Sequence, residues 1–212
     1  MNFTKEQLNL YLVTDRHWLA NRNLEDDVEK AILGGVTMVQ LREKNIDNES
    51  FIKLAKKVKQ VCHKYKVPFI INDNLEVALA VDSDGIHIGQ DDLPANLVRQ
   101  KIGPNKILGV SVHNLDEAIA AKNAGATYLG AGAMFSTTTK DNTTNLSIEK
   151  LQTITTNINI PVVAIGGINY DNCLSLKNCN LAGIAVVSAI MAATNISEAA
   201  SKLKKKAQII YD

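Results

Sequence analysis

Short apolar segments recur along the chain at near-regular spacing. They read "NLYLVTD" near 9–15, "TMVQLRE" near 37–43, "PFIIND" near 68–73 and "GIHIG" near 85–89. "ILGVSV" near 107–112, "YLGAGAM" near 128–134, "PVVAIGG" near 161–167 and "GIAVVSA" near 183–189 complete the series. Each has the length of a strand, is rich in Val, Ile or Gly, and ends in polar residues or glycine, which predicts eight strands. Segments with helical spacing lie between most of them. In 50–61, Phe51, Leu54, Ala55 and Val58 form one stripe, while Lys53, Lys56, Lys57 and Lys59 face away. In 114–124, Asn114 stands as a cap and Glu117 at the capping-box position, and Leu115, Ala118, Ile119 and Lys122 follow. A last helix is expected over 197–207. It opens at Ser197 and finishes in "KLKKKA", whose lysines suit a solvated C-terminal end.

Strands alternating with helices imply parallel pairing. The chain has 212 residues with no linker or break in composition. Eight such units in this length predict an α/β fold: a single domain over 1–212, at the compact end of the (β/α)8 TIM barrel. A doubly wound open sheet is the alternative. The strand count favours the barrel, as does the lack of a GxGxxG turn after the first strand, where "YLVTDRHWLANRN" stands.

Composition narrows the function classes. The chain is 46% hydrophobic and 21% charged, ordinary for a soluble globular protein. A net charge of +1 provides no field for nucleic acid, and 5% aromatic residues make a poor stacking platform for bases. No apolar run is long enough to span a membrane, and "MNFTKEQLNL" has no apolar signal region, so a cytoplasmic protein is expected. Cys62, Cys173 and Cys179 show no metal-ligand spacing and suit a reducing compartment as small buried residues. The pattern assigns no oligomeric state.

A barrel carries its chemistry at the C-terminal ends of its strands. Strand 2 offers Gln40, Arg42 and Lys44 at alternate positions, hence on one face, with Val39 and Leu41 on the other. Two cations on an inward face need an anionic partner. Strand 3 ends in Asn72 and Asp73, "GQDD" after strand 4 brings Asp91 and Asp92, and strand 5 ends in Ser111 and His113. Strand 6 leads into "FSTTTKDNTT", with Thr137, Thr139 and Lys140; strands 7 and 8 end at Gly166-Gly167 and Val187-Ser188. Loops after strands 7 and 8 often bind phosphate through backbone N–H groups, which glycine lets approach closely. Arg42, Lys44 and Lys140 bring three positive charges near Asp73 and Asp92. For any single pair a plain salt bridge accounts for the residues equally well. Together with Asn72 they suggest Mg2+, which takes one or two carboxylates and fills its shell with water and phosphate oxygens. Cations and Mg2+ converging suit a diphosphate. The mouth would then hold a diphosphate on one side and a monophosphate on the other, with "STTTK" as a mobile polar loop between them.

"YLVTD", "VQLREK", "IIND", "DGIHIGQDD", "GVSVH", "STTTKD", "AIGGI" and "VVSAI", in this order along most of the chain, resemble the thiamine-phosphate synthase family. One departure is the stretch "GAGAMFS", which lacks the Gly-Pro step and the proline before the threonines that are usual there; it bears on the rigidity of the loop and not on the chemistry. The resemblance implies an enzyme joining 4-amino-5-hydroxymethyl-2-methylpyrimidine diphosphate to hydroxyethylthiazole phosphate, with thiamine phosphate and diphosphate as products. It implies a dissociative reaction through a pyrimidine methylene cation, with no protein nucleophile. By the same resemblance Gln40, Arg42, Lys44, Asn72, Ser111 and Lys140 bind the pyrimidine diphosphate, with Arg42, Lys44 and Lys140 acting on the leaving group. Asp73 and Asp92 hold Mg2+. Thr137, Thr139, Gly167, Val187 and Ser188 bind the thiazole phosphate.

Residues near these positions have plainer readings. His87 reads as a hydrogen-bonded core histidine, His113 as orienting a loop, Asp91 as solvent-facing or capping the next helix, and Trp18 as a cover for apolar surface. Two other functions share the barrel: a thiazole tautomerase, which has no diphosphate to neutralise, and a non-catalytic sensor of phosphate ligands. The set Arg42, Lys44, Asp73, Asp92 and Lys140 favours the synthase over both.

Overall fold

The computed structural model describes residues 3–136 and 145–211. Its eight strands are β1 (Leu10–Val13), β2 (Met38–Leu41), β3 (Phe69–Asn72), β4 (Gly85–Ile88), β5 (Ile107–Val112), β6 (Tyr128–Ala131), β7 (Val162–Ile165) and β8 (Gly183–Val186). All pair in parallel in chain order, and β1 pairs with β8, so the sheet closes on itself. Closure rules out the open doubly wound sheet. Among the described residues no helix is long and apolar enough to cross a membrane.

Eight helices follow the strands: α1 (Leu24–Leu33), α2 (Asn48–Lys64), α3 (Leu75–Ala80), α4 (Ala95–Ile102), α5 (Leu115–Asn123), α6 (Ile148–Asn157), α7 (Ser188–Met191) and α8 (Ile196–Tyr211). Between β7 and β8 the crossover carries only a 3-10 turn, Cys173–Leu176. Successive strand residues alternate in direction. Leu12, Val39, Leu41, Ile71, Ile86, Val110, Leu129, Ala164 and Val186 point outward and pack under the helices. Tyr11, Met38, Ile70, Tyr128, Val163 and Ala185 point inward and fill the barrel. The cysteines are buried and unpaired, as their pattern suggests.

The predicted helices are present, with shifted ends. The stripe in 50–61 belongs to α2, which extends a turn further at its C-terminus and is capped by the Asp47 side chain accepting from Ser50 N–H. Asn114 caps α5 as expected, accepting from Glu117 N–H at 2.9 Å. The last helix departs most. It starts at Ile196, and Asn195, not Ser197, accepts the Glu198 N–H. It continues to Tyr211, so the "KLKKKA" lysines lie inside the helix rather than at its end. There Lys202 pairs with Glu198, and Lys206 sits 3.8 Å over the Tyr170 ring. The apolar Ile209 and Ile210, which carry α8 onward, contribute too little polar contrast to mark its end in the sequence.

Candidate active site

The C-terminal ends of the strands surround a cavity of about 300 Å³. That is within the range of small-molecule sites. Arg42, Lys44, Asn72, Asp73, Asp91 and Asp92 line it on the β2–β4 side, and Gly166, Gly167, Val187 and Ser188 on the β7–β8 side. Gln40, His87 and Ser111 contribute to its wall from the inward positions of β2, β4 and β5. The expected site residues that the structure describes therefore meet at one mouth. Thr137, Thr139 and Lys140 lie outside the described residues.

β2 stops at Leu41, so Arg42 and Lys44 stand in the loop beyond it rather than on the strand face that alternation suggests. Each faces a carboxylate of the protein. Arg42 Nη1 lies 3.4 Å from Asp15 Oδ2, and Arg42 N–H donates to Thr14 Oγ1 at 3.1 Å. Lys44 Nζ donates to Asp73 Oδ2 at 2.7 Å. The plain salt bridge that the sequence left open for each pair is thus present, and the protein supplies acidic partners of its own beside any diphosphate. Asp15 has no role in the sequence reading. Its signal is its place directly after β1, at the end of the barrel where the other polar groups gather.

Asp73 has φ 60°, a left-handed conformation that aspartate tolerates better than most residues. Asp92 turns back on its loop, with Oδ2 accepting from Gly89 N–H at 2.7 Å. Its carboxyl is held above the usual aspartate range, first by partial burial and then by the Asp73 carboxylate beside it, while Gly89 N–H and Lys44 pull the other way. Two adjoining carboxylates whose charges oppose each other favour a cation between them. Among the described residues no cluster of three or more His, Cys, Asp or Glu is arranged around a metal. A carboxylate pair is nevertheless what Mg2+ uses when water and phosphate complete its shell. Asp91 is exposed at the mouth and does not cap α4, which starts after Pro94.

Beneath these charges runs a continuous hydrogen-bonded chain. Gln40, 3% exposed, donates from Nε2 to Tyr11 OH at 2.6 Å. Tyr11 OH meets Tyr128 OH at 2.8 Å, Tyr128 OH meets His87 Nδ1 at 2.8 Å, and His87 Nε2 meets Ser111 Oγ at 3.0 Å. Gly109 makes this geometry possible: a Cβ there would stand 2.3 Å from the Tyr128 hydroxyl and 2.4 Å from His87 Nδ1. His87 is the bonded core histidine that was expected, and it also borders the cavity. Sequence reasoning misses Tyr11 and Tyr128. Both occupy inward strand positions, and buried tyrosines there need partners for their hydroxyls.

On the opposite side Gly166 and Gly167 have φ 97° and 64°. A Cβ on Gly167 would stand 2.6 Å from Ser136 O, so glycine alone lets this loop lie against the segment leaving β6. Val187 precedes α7 and its carbonyl accepts the Ile190 and Met191 N–H groups, while those of Ser188 and Ala189 have no acceptor within the helix. At the rim, His113 is oriented by Glu117, whose Oε2 lies 2.9 Å from Nδ1 and accepts His113 N–H at 2.8 Å. Trp18 packs partly buried against the core.

The family model described as thiamine monophosphate synthase matches residues 10–190. The chain is 50% identical over 202 residues to a thiamine-phosphate synthase of Clostridium botulinum, covering 95% of each. It is 51% identical over 194 residues to that of Clostridium tetani, covering 92% of this chain and 93% of the relative. The thiamine phosphate pyrophosphorylase structure from Pyrococcus furiosus superposes with a TM-score of 0.90 at 37% identity, over 97% of this chain and 98% of that one. With its barrel, its divided mouth and relatives matched along nearly their whole length, the chain belongs to the thiamine-phosphate synthase family.

Proposed function

We propose that this synthase joins 4-amino-5-hydroxymethyl-2-methylpyrimidine diphosphate to hydroxyethylthiazole phosphate at the mouth of the barrel, releasing diphosphate. The observation that carries the reading is the division of the cavity. Cations and a carboxylate pair face it from β2–β4, and backbone with glycine faces it from β7–β8. The first side suits a diphosphate and the second a monophosphate.

In this reading the C–O bond between the pyrimidine methylene and the diphosphate breaks, and the electron pair leaves with the diphosphate. The thiazole nitrogen then donates its lone pair to the methylene carbon to form the C–N bond. Arg42 and Lys44, with Lys140, stabilise the charge that grows on the leaving oxygen. Asp15 and Asp73 hold the two described cations in place before substrate arrives. Asp73 and Asp92 are the residues to hold Mg2+, which when bound would offset further charge on the leaving group. Gln40, Asn72 and Ser111 seat the pyrimidine. Gly167, Val187 and Ser188, with Thr137 and Thr139, seat the thiazole phosphate. The tautomerase and sensor readings have no comparable support among the relatives.

The test is diphosphate release from the pyrimidine diphosphate, with and without the thiazole phosphate and with and without Mg2+. Release coupled one-to-one to thiamine phosphate and dependent on Mg2+ is expected. Turnover unchanged after exhaustive chelation would remove Mg2+ from the mechanism. Release with no coupled product would remove the condensation.

A further inference from the structure

The buried chain Gln40–Tyr11–Tyr128–His87–Ser111 has four links, and each link takes one proton. With His87 neutral, its three inner members supply one proton each, from two phenols and one imidazole. Burial pushes the hydroxyls of Tyr11 and Tyr128 well above the usual tyrosine range, so both keep their protons. Three protons cannot fill four links. The fourth comes from one end of the chain, either the Gln40 amide or the Ser111 hydroxyl, and not from both. The two ends are therefore coupled and opposite in kind. With Gln40 Nε2 donating to Tyr11, each hydroxyl passes its proton onward, His87 accepts at Nδ1 and donates from Nε2. Gln40 is left with its carbonyl oxygen, turned away from Tyr11, and its second N–H, and Ser111 with its O–H.

We propose that Tyr11, Tyr128 and His87 are positioning residues: they transmit one hydrogen-bond direction through the barrel and so set Gln40 as acceptor and Ser111 as donor toward the ligand. This rests on the pyrimidine reading of the site and adds a specificity to it. A 4-aminopyrimidine offers an N–H donor on its exocyclic nitrogen and lone-pair acceptors on its ring nitrogens, which matches one acceptor and one donor in the wall. A 4-oxopyrimidine of the same shape turns the exocyclic donor into an acceptor and protonates a ring nitrogen, so it sets like against like at the Gln40 carbonyl and the Ser111 O–H. A site built around buried polar partners rejects such an analogue because those partners are left unpaired. Gly109 and Gly130 belong to the device, since they leave the space that the Tyr128 and His87 rings occupy.

Two measurements test it. The first uses the ligand-free enzyme with 15N-labelled histidine, reading the imidazole nitrogens by NMR at neutral pH. A neutral His87 protonated at Nε2 is expected, and Tyr128→Phe should shift it toward a mixture of tautomers. A wild-type His87 protonated at Nδ1, or at both nitrogens, would overturn the assigned direction. The second is kinetic. Tyr11→Phe and Tyr128→Phe should each raise KM for the pyrimidine diphosphate about tenfold, the cost of one hydrogen bond, and leave KM for the thiazole phosphate unchanged. They should also narrow the preference for the 4-amino over the 4-oxo substrate, which in the wild type should reach about a hundredfold or more. Equal rises in both KM values, or an unchanged preference, would mean that the tyrosines only pack the barrel and would overturn the proposal. The NMR measurement needs no substrate, so the relay and the reaction fail separately.

Discussion

At the scale of single residues, the mouth sorts into groups that line the cavity and groups that stand behind them in the chain. Glu43 belongs to the second kind. Its side chain is 3% exposed, Oε2 takes the Arg16 guanidinium at 2.7 Å, and Oε1 is buried with no hydrogen-bond partner among the described residues. Burial raises its pKa above the usual glutamate range, against the opposing pull of Arg16. A raised folded-state pKa means the native state binds the proton more tightly than the unfolded chain does. The stability from that proton is complete below the ordinary glutamate value and is lost as pH rises through the raised one. Glu43→Gln should accordingly flatten the fall in melting temperature across that mildly acidic window; a fall as steep as the wild type's would show that another group is responsible. Arg42, Lys44, Asp73 and Asp92 were legible in the sequence because charged residues at strand ends stand out. Tyr11, Tyr128 and Asp15 were not, because a tyrosine in an apolar strand reads as core and one aspartate after a strand reads as a turn. Their importance comes from partners in other strands, which no local pattern displays.

At the scale of elements, the eight strands were legible because each is short, apolar and closed by polar or glycine residues, and the structure places every one within its expected segment. Helix ends were less so. Ser197 looked like a cap, yet Asn195 two residues earlier takes the Glu198 N–H, and both residue types serve equally at that position. Asn114 shows what such a cap supports. Its Oδ1 holds Glu117 N–H, Glu117 Oε1 takes the Asn114 side chain at 2.6 Å, and Glu117 Oε2 orients His113 at the rim. Asn114→Ala should cost about 1 kcal/mol of stability in denaturant unfolding, while Asn114→Asp should cost less. An alanine variant as stable as the wild type would place the hold on this turn elsewhere.

At the scale of the molecule, the barrel is joined to itself where its first and last units meet. Arg22, in the loop after β1, donates to Asp27 Oδ2 at 2.7 Å, to Trp18 O at 2.9 Å and to Met191 O at 2.8 Å. Asp27 is fully buried, and its nearest other cation, Lys30, is 3.8 Å away. Removing Arg22 leaves a buried carboxylate poorly compensated, which costs about 3 kcal/mol or more. Arg22→Met should lose that much in urea unfolding, and adding Asp27→Asn should recover part of it; a double variant no better than the single would assign the loss to the backbone contacts instead.

The seam that this arginine ties has a consequence for how the chain is made. Arg22 and Met191 are 169 positions apart, and Tyr211 OH reaches back 202 positions to Asn9 O. The β1–β8 ladder joins the same distant regions. On the ribosome these partners do not coexist until β8 and α8 have emerged. Through most of synthesis, then, β1 offers an open parallel edge on one side, and the growing half-barrel offers another on its newest strand. Such edges invite pairing with other chains, and contacts this distant in sequence form slowly. The nascent chain is at its most aggregation-prone just before β8 closes on β1, and whatever speeds the emergence of β8 and α8 shortens that exposure.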